Sequence, residues 1–211
     1  MTEETISENL KPRRVRFAPT PPPEGGPFLH IGHVAMLLMT REIAVQENAA
    51  LDIRFDAAPD AAGLLDVWNC LNWLGVLPSR VYVLTMVNET QIINFGNGDA
   101  SRFSRTQLSA HFDDLRVENN TLITRDNEFS IGLTRQTYDA LDVFWGRTRK
   151  ETNFPNMLRG GRKMSKSDNN ALHWSVLKDF DVSRVKEFML RKMLAGENWN
   201  WDWKEFVCLI S

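Results

Sequence analysis

Cysteine is nearly absent from this 211-residue chain: only Cys70 and Cys208 occur, far apart and not grouped with histidines. That excludes a disulfide framework and a zinc knuckle, and it predicts a reducing, cytoplasmic setting. Net charge is nearly absent too. Twenty-five Lys and Arg stand against 27 Asp and Glu, a balance of −2. The chain therefore lacks the global positive field behind non-specific nucleic-acid binding, and any RNA contact has to be local. No segment reaches the ~18 uninterrupted apolar residues of a membrane span. The opening MTEETISENLKP is polar and acidic, without the apolar centre of a secretion signal. These absences predict a soluble protein with no membrane partner. What is present, 43% hydrophobic and 25% charged residues, suits one sizeable core and excludes disorder as the main state.

Along the chain, basic and apolar residues alternate over Arg14-Val15-Arg16-Phe17-Ala18, the pattern of a strand, and run into a loop with five prolines between Pro19 and Pro27. From Gly32 to Glu47 the composition is helical with apolar residues on more than one face, which predicts a helix buried between layers. Leu51, Ile53 and Phe55 then alternate with Asp52 and Arg54. Strand, helix and strand in this order make a βαβ unit with parallel strands. Leu64, Val67, Trp68, Leu71 and Leu74 recur at helical spacing, Gly75 stands at a C-cap, and Val81 to Leu84 read as another strand. Turn residues from Asn94 to Asp99 mark a small insertion over about 88–120. Strand-like Leu122-Ile123-Thr124 and Ser130 to Leu133 precede a helical stretch, Gln136 to Trp145, and a loop rich in Gly and basic residues, Leu158 to Asn170. A final helix carries Val182, Val185, Phe188, Met189 and Met193 on one face, followed by Trp199, Trp201, Trp203 and Phe206. The apolar run from Trp199 to Ile210 is expected to be helix packed on the core, with a homodimer surface as the alternative.

Two constellations carry chemistry. His30-Ile31-Gly32-His33 falls where the Pro/Gly loop gives way to a helix, and two imidazoles three apart belong to one first turn. Unpaired backbone N–H groups and the dipole favour a phosphate there, and Gly32 would let it approach the backbone. Two surface histidines, or half of a metal site, would leave the same letters, though no carboxylate or third histidine stands near. The second is Lys163-Met164-Ser165-Lys166-Ser167. Between Arg147 and Lys166 there are seven basic residues and one acid, Glu151. A solvated basic loop is the plain alternative.

Taken together, HIGH after a Pro-rich loop and KMSKS late in the chain resemble the catalytic domain of class I aminoacyl-tRNA synthetases. Val15 to Thr20, Ile53 to Asp56 and Leu71 to Gly75 are similar to the glutamyl- and glutaminyl-type branch. Asp181 to Phe206 is closer to the stem-contact segment of methionyl- and leucyl-type members. The resemblance implies an α/β fold, a Rossmann-like parallel sheet with helices on both faces. It divides the chain into a catalytic domain over 1–172 and a helical, stem-contact-like tail over 173–211.

It further implies ATP and Mg2+ as cofactors, no metal ligand from the protein, and an amino-acid carboxylate attacking the α-phosphorus of ATP. By the same resemblance His30, His33, Lys163 and Lys166 are catalytic, with Lys166 foremost. Ala18, Pro19, Thr20, Gly32, Met164 and Ser165 join His30, His33 and Lys166 around ATP. Arg16 would meet the substrate side chain and Asp56 its α-ammonium; an ordinary strand-edge pair is the alternative for these two.

Departures from the family pattern redirect the expected acceptor. Ala57, Ala58 and Pro59 replace the acid and threonine that follow Arg-Phe-Asp, so the amino-acid pocket is altered. Pro21 to Phe28 is a longer loop. Only 107 residues separate Asp56 from Lys163, and 44 follow Ser167, little room for an acceptor-stem insertion or an anticodon-binding domain. The reading is an aminoacyl-adenylate-forming ligase that serves a small molecule or carrier, with tRNA the less favoured acceptor. A tRNA-charging enzyme or fragment and a non-catalytic nucleotide-binding paralogue are the alternatives. A phosphopantetheine-type nucleotidyltransferase ranks lower, because it shares HxGH but not the KMSKS loop.

Overall fold

A computed structural model describes residues 14–19, 28–55, 58–83, 121–126, 150–166 and 168–210. The chain opens with β1 (Arg14–Phe17), α1 (Ile31–Gln46), β2 (Ala50–Phe55), α2 (Ala61–Leu74) and β3 (Arg80–Val83), in the order the sequence pattern predicts, with α2 beginning three residues before Leu64. Two further strands, β4 (Thr121–Asp126) and β5 (Lys150–Phe154), complete a sheet of order β3-β2-β1-β4-β5. Every pairing in it is parallel. The chain walks outward from β1 to β3 and returns to the other side of β1. The order therefore reverses between β1 and β4, and the crevice at the carboxyl ends of these two strands is where such sheets take ligands. The β1–α1 loop leaves from there.

Helix α1 packs on β1 and β2, and the right-handed crossover rule assigns α2 to the same face. Val15, Phe17, Leu51, Ile53 and Phe55 share a face by alternation and register and are all buried. The opposite face of the same strands bears Arg14, Arg16, Asp52 and Arg54, and Arg80 of β3 lies in register with Asp52. Asp52 is 1% exposed. It accepts from Arg14 Nε at 2.6 Å and from Arg80 at 2.7 Å. The expected insertion over about 88–120, the strand Ser130 to Leu133 and the helix Gln136 to Trp145 lie outside the described residues.

Capping and packing explain the helices. In α2, Asp60 accepts from the Gly63 N–H at 2.7 Å, and Gly75 closes the helix in the left-handed region at φ 59°. Gly63 is required by packing, since a Cβ there would stand 2.5 Å from the Phe28 ring. The buried stripe of α2 is narrower than its periodicity suggests: Val67, Leu71 and Leu74 are buried, whereas Leu64 and Trp68 are exposed. Helix α1 is buried on several faces because it lies between the sheet and α3 (Val182–Leu194).

Two expectations are corrected. The stretch from Leu158 to Asn170 is not all loop: β6 (Met157–Arg159) and β7 (Arg162–Lys163) form an antiparallel hairpin. Gly160 and Gly161, at φ 61° and 77°, supply the two left-handed residues such a turn needs. Likewise the segment from Trp199 is not all helix. Trp199–Asn200 is β8, paired in parallel with β6 in a small second sheet of order β7-β6-β8, and only Trp203–Ile210 (α4) is helical. A short 3-10 turn, Trp174–Leu177, leads into α3. Phe206 anchors this tail, with ring centres 4.8 Å from Trp201 and 5.2 Å from Phe188.

Candidate functional site

The HIGH letters fall at the start of α1, with His30 as N-cap and His33 at the third helical position. The two rings satisfy one another's backbone. His30 Nδ1 accepts from the Gly32 N–H at 3.1 Å, and His33 Nδ1 accepts from the His30 N–H at 3.2 Å. This is a capping box built from imidazoles. Both acceptors are Nδ1, so each neutral ring carries its proton on Nε2.

The arrangement corrects the expected phosphate cradle. The Ile31 N–H donates to Leu172 O at 2.9 Å and the His33 N–H to His30 O at 2.8 Å. With Gly32 already bonded, the first N–H groups of the helix are engaged within the protein. The helix dipole still favours an anion at this end. Gly32 has a different reason to be glycine as well. A Cβ there would stand 2.9 Å from His30 Cε1, so any other residue displaces the capping ring.

Burial, then the charges of Lys166 and Lys163, lowers the His30 pKa to about 3. Burial, then His30 and the same two lysines, holds His33 well below its ordinary value. Both rings are therefore neutral donors at physiological pH. The KMSKS loop meets the residues just ahead of the HIGH helix. Lys166 Nζ donates to Phe28 O at 3.2 Å and stands 5.6 Å from the centre of the Phe28 ring. Partial burial lowers its pKa to about 8, which leaves it mainly cationic at pH 7.

The KMSKS loop is held from behind. Met164 is buried, and its N–H donates to Met157 O at 2.9 Å. Asn170 spans the loop, accepting from the Ser165 N–H at 2.7 Å and donating to Lys163 O at 3.0 Å. Asn170 is a site-shaping residue that sequence reasoning missed; the Asp168-Asn169-Asn170 turn was its only signal. Asp66 and His173, described below, had none.

Of the other expected site residues, Ala18 and Pro19 directly follow β1 at the crevice, with Pro19 buried. Arg16 is 7% exposed on β1, in register with Asp52 and on the face turned away from α1. Thr20 and Asp56 lie outside the described residues.

No protein-family model and no curated protein matches the chain. Solved structures do. Glutamate-tRNA synthetase from Elizabethkingia anophelis is similar at TM-score 0.55 and 12% identity, over 82% of this chain and 60% of that one. A glutamate tRNA ligase from Elizabethkingia meningosepticum CCUG26117, in complex with its amino acid, gives TM-score 0.55 and 11% identity over 82% and 59%. The fold is Rossmann-like. Pantoate-beta-alanine ligase from Francisella tularensis, complexed with beta-gamma ATP and beta-alanine, gives TM-score 0.45 and 15% identity over 87% of this chain and 72% of that one. At these identities the likeness is one of fold, and the chain spans about 60% of the length of the two tRNA ligases. Among the described residues, no helix is long and apolar enough to cross a membrane.

Proposed function

We propose that this chain activates an amino acid with ATP, forming an aminoacyl-adenylate, and passes the aminoacyl group to a small molecule or carrier. One observation supports the reading: Lys166 Nζ donates to Phe28 O at 3.2 Å, two residues ahead of the His30–His33 capping box, so a cation of the second motif stands beside the two imidazoles of the first. That is a set of groups matched to a triphosphate.

A carboxylate is already anionic at neutral pH and needs no general base. The new bond joins its oxygen to the α-phosphorus, the bond to the bridging oxygen breaks, and pyrophosphate leaves with its electron pair. Catalysis then rests on positioning and on charge placed where charge develops. His30 and His33 would donate through Nε2–H to phosphate oxygens; Lys166, with Lys163, would neutralise the departing pyrophosphate. Arg16 and Asp56 are the proposed contacts for the amino acid. Mg2+ would be carried by the phosphates of the nucleotide.

Charging of tRNA is the rival reading, favoured by the likeness to two glutamate-tRNA ligases. Against it stand the net charge of −2 and a basic cluster small enough to be occupied by the triphosphate. Exchange of pyrophosphate into ATP across a panel of amino acids, with and without bulk tRNA, separates the two. Exchange without RNA, and RNA binding with a shallow salt dependence, are expected; exchange that requires tRNA, or tight binding that falls steeply with salt, would make the chain a tRNA ligase.

The same assay has a distinctive pH profile. Lys166 loses its charge as pH rises through about 8, so kcat/KM, which reports the free enzyme, should fall above that value. Because His30 protonates only near pH 3, no loss of rate is expected as pH drops through 6.5. A step at 6.5 would mean that a histidine must be neutralised, and would contradict the capping geometry.

A further inference from the structure

Asp66 lies on α2, outside both motifs, yet its carboxylate collects three donors. The Leu29 N–H reaches Oδ2 at 3.2 Å, and the Trp174 indole N–H reaches Oδ1 at 2.6 Å. His173 Nε2 stands 3.0 Å from the same Oδ1. His173 Nδ1 accepts from the Ser175 N–H at 3.2 Å, which leaves Nε2 as the donor to Asp66. Hydrogen bonds to a carboxylate are roughly twice as strong as neutral ones, so this is a strong node.

The three donors belong to two segments that also pair with each other. Leu29 to Ile31 runs antiparallel to Leu172 to Trp174, joined by an His30–His173 bridge, by Ile31 N–H to Leu172 O at 2.9 Å and by Trp174 N–H to Leu29 O at 3.2 Å. The first segment delivers His30. The second begins two residues after Asn170, whose carboxamide spans Lys163 and Ser165. A continuous path of bonds thus runs from Asp66 through both segments to the KMSKS loop.

We propose that Asp66 is a positioning residue that sets the KMSKS loop against the HIGH helix, acting through Leu29, His173, Trp174 and Asn170. As a role in catalysis it rests on the adenylate-forming reading; as a mechanical link it stands on the bonds alone. Asp66 touches no reacting group. Its effect is the relative placement of Lys166 and His30, and a misplacement of about 1 Å at reacting groups can cost on the order of 100-fold in rate.

Asp66→Asn tests the link, since the carboxamide preserves size but turns an N–H toward one of the three donors. Hydrogen exchange on the full chain should show the amides of Ile31, Trp174 and, through Asn170, Ser165 exchanging about tenfold faster, the worth of roughly one hydrogen bond. Amides of α3 should stay protected. Faster exchange at Leu29 with Ser165 unchanged would make Asp66 a local cap and overturn the proposal. If α3 also loses protection, Trp174→Phe, which deletes a single donor, takes its place in the same comparison and is read by the same criterion at Ser165. In pyrophosphate exchange the variant should lose about 10-fold or more in kcat with KM for ATP little changed; a raised KM with kcat intact would overturn the catalytic half. A wild-type chain that exchanges with no amino acid sinks the functional reading, and leaves the hydrogen-exchange result to decide the link.

Discussion

Replacing Lys166 by alanine is expected to lower adenylate formation by about 100- to 1,000-fold, the usual consequence of removing one preorganised group from the site of developing charge. Folding and ATP affinity should change little. The side chain sits at the edge of the core, with its Nζ against the Phe28 carbonyl and ring, and its loop is held by Met164 and Asn170, which the substitution leaves in place. Its charge matters most when pyrophosphate departs, so the loss should appear in kcat. Single-turnover adenylate formation beside calorimetric ATP binding separates the two effects. Lys166→Arg should recover only part of the rate, because a planar fork does not reproduce a compact ammonium in a space already bounded by Phe28. Full turnover in the alanine variant would remove Lys166 from the mechanism.

The largest effect on stability is expected at Asp52. Its carboxylate is buried in the sheet between Arg14 and Arg80. Burial raises its pKa, but hydrogen bonds from Arg14 and Arg80, and then their charges, outweigh that and hold it below the ordinary 3.8. Asp52→Ala leaves Arg14, only 13% exposed, with its main partner gone. Removing one member of a buried ion pair costs about 3 to 5 kcal/mol, which for a chain of this size is on the order of 10 °C in Tm. The pH dependence has a definite sign. A carboxylate with a depressed folded pKa contributes stability that is fully present above its unfolded value, and that stability is lost as pH falls below 3.8 and through the lower folded value. Acid unfolding of the wild type should therefore steepen below about pH 4, and the variant should show less of this loss. Equal melting temperatures for variant and wild type at pH 7 would show that the guanidiniums find other partners at no cost.

Much of the architecture was legible in the chain because its determinants are local. Alternation over Arg14 to Phe17 and Ala50 to Phe55, the helical spacing of Val67, Leu71 and Leu74, and a glycine at position 75 each act within a few residues. The HIGH letters lie at a helix start for a related reason: a cap is a bond between neighbours, here His30 to Gly32. β5 gave no such signal, since its Lys150-Glu151-Thr152-Asn153 run is polar and does not alternate. The Gly160-Gly161 pair was a legible hairpin turn that the basic composition around it obscured.

Other features were decided only by tertiary structure. The sequence placed two basic and two imidazole groups in separate motifs; folding brought Lys166 to Phe28 across 138 residues and Trp174 to Asp66 across 108. Pairing with Leu172 consumed a backbone donor that the sequence left open for phosphate. Such contacts join surfaces that periodicity orients but does not match, because the energy of a buried hydrogen bond depends on which distant partner the packed core delivers. Local chemistry therefore determined the elements and the letters of the site, and packing determined which of those letters face one another.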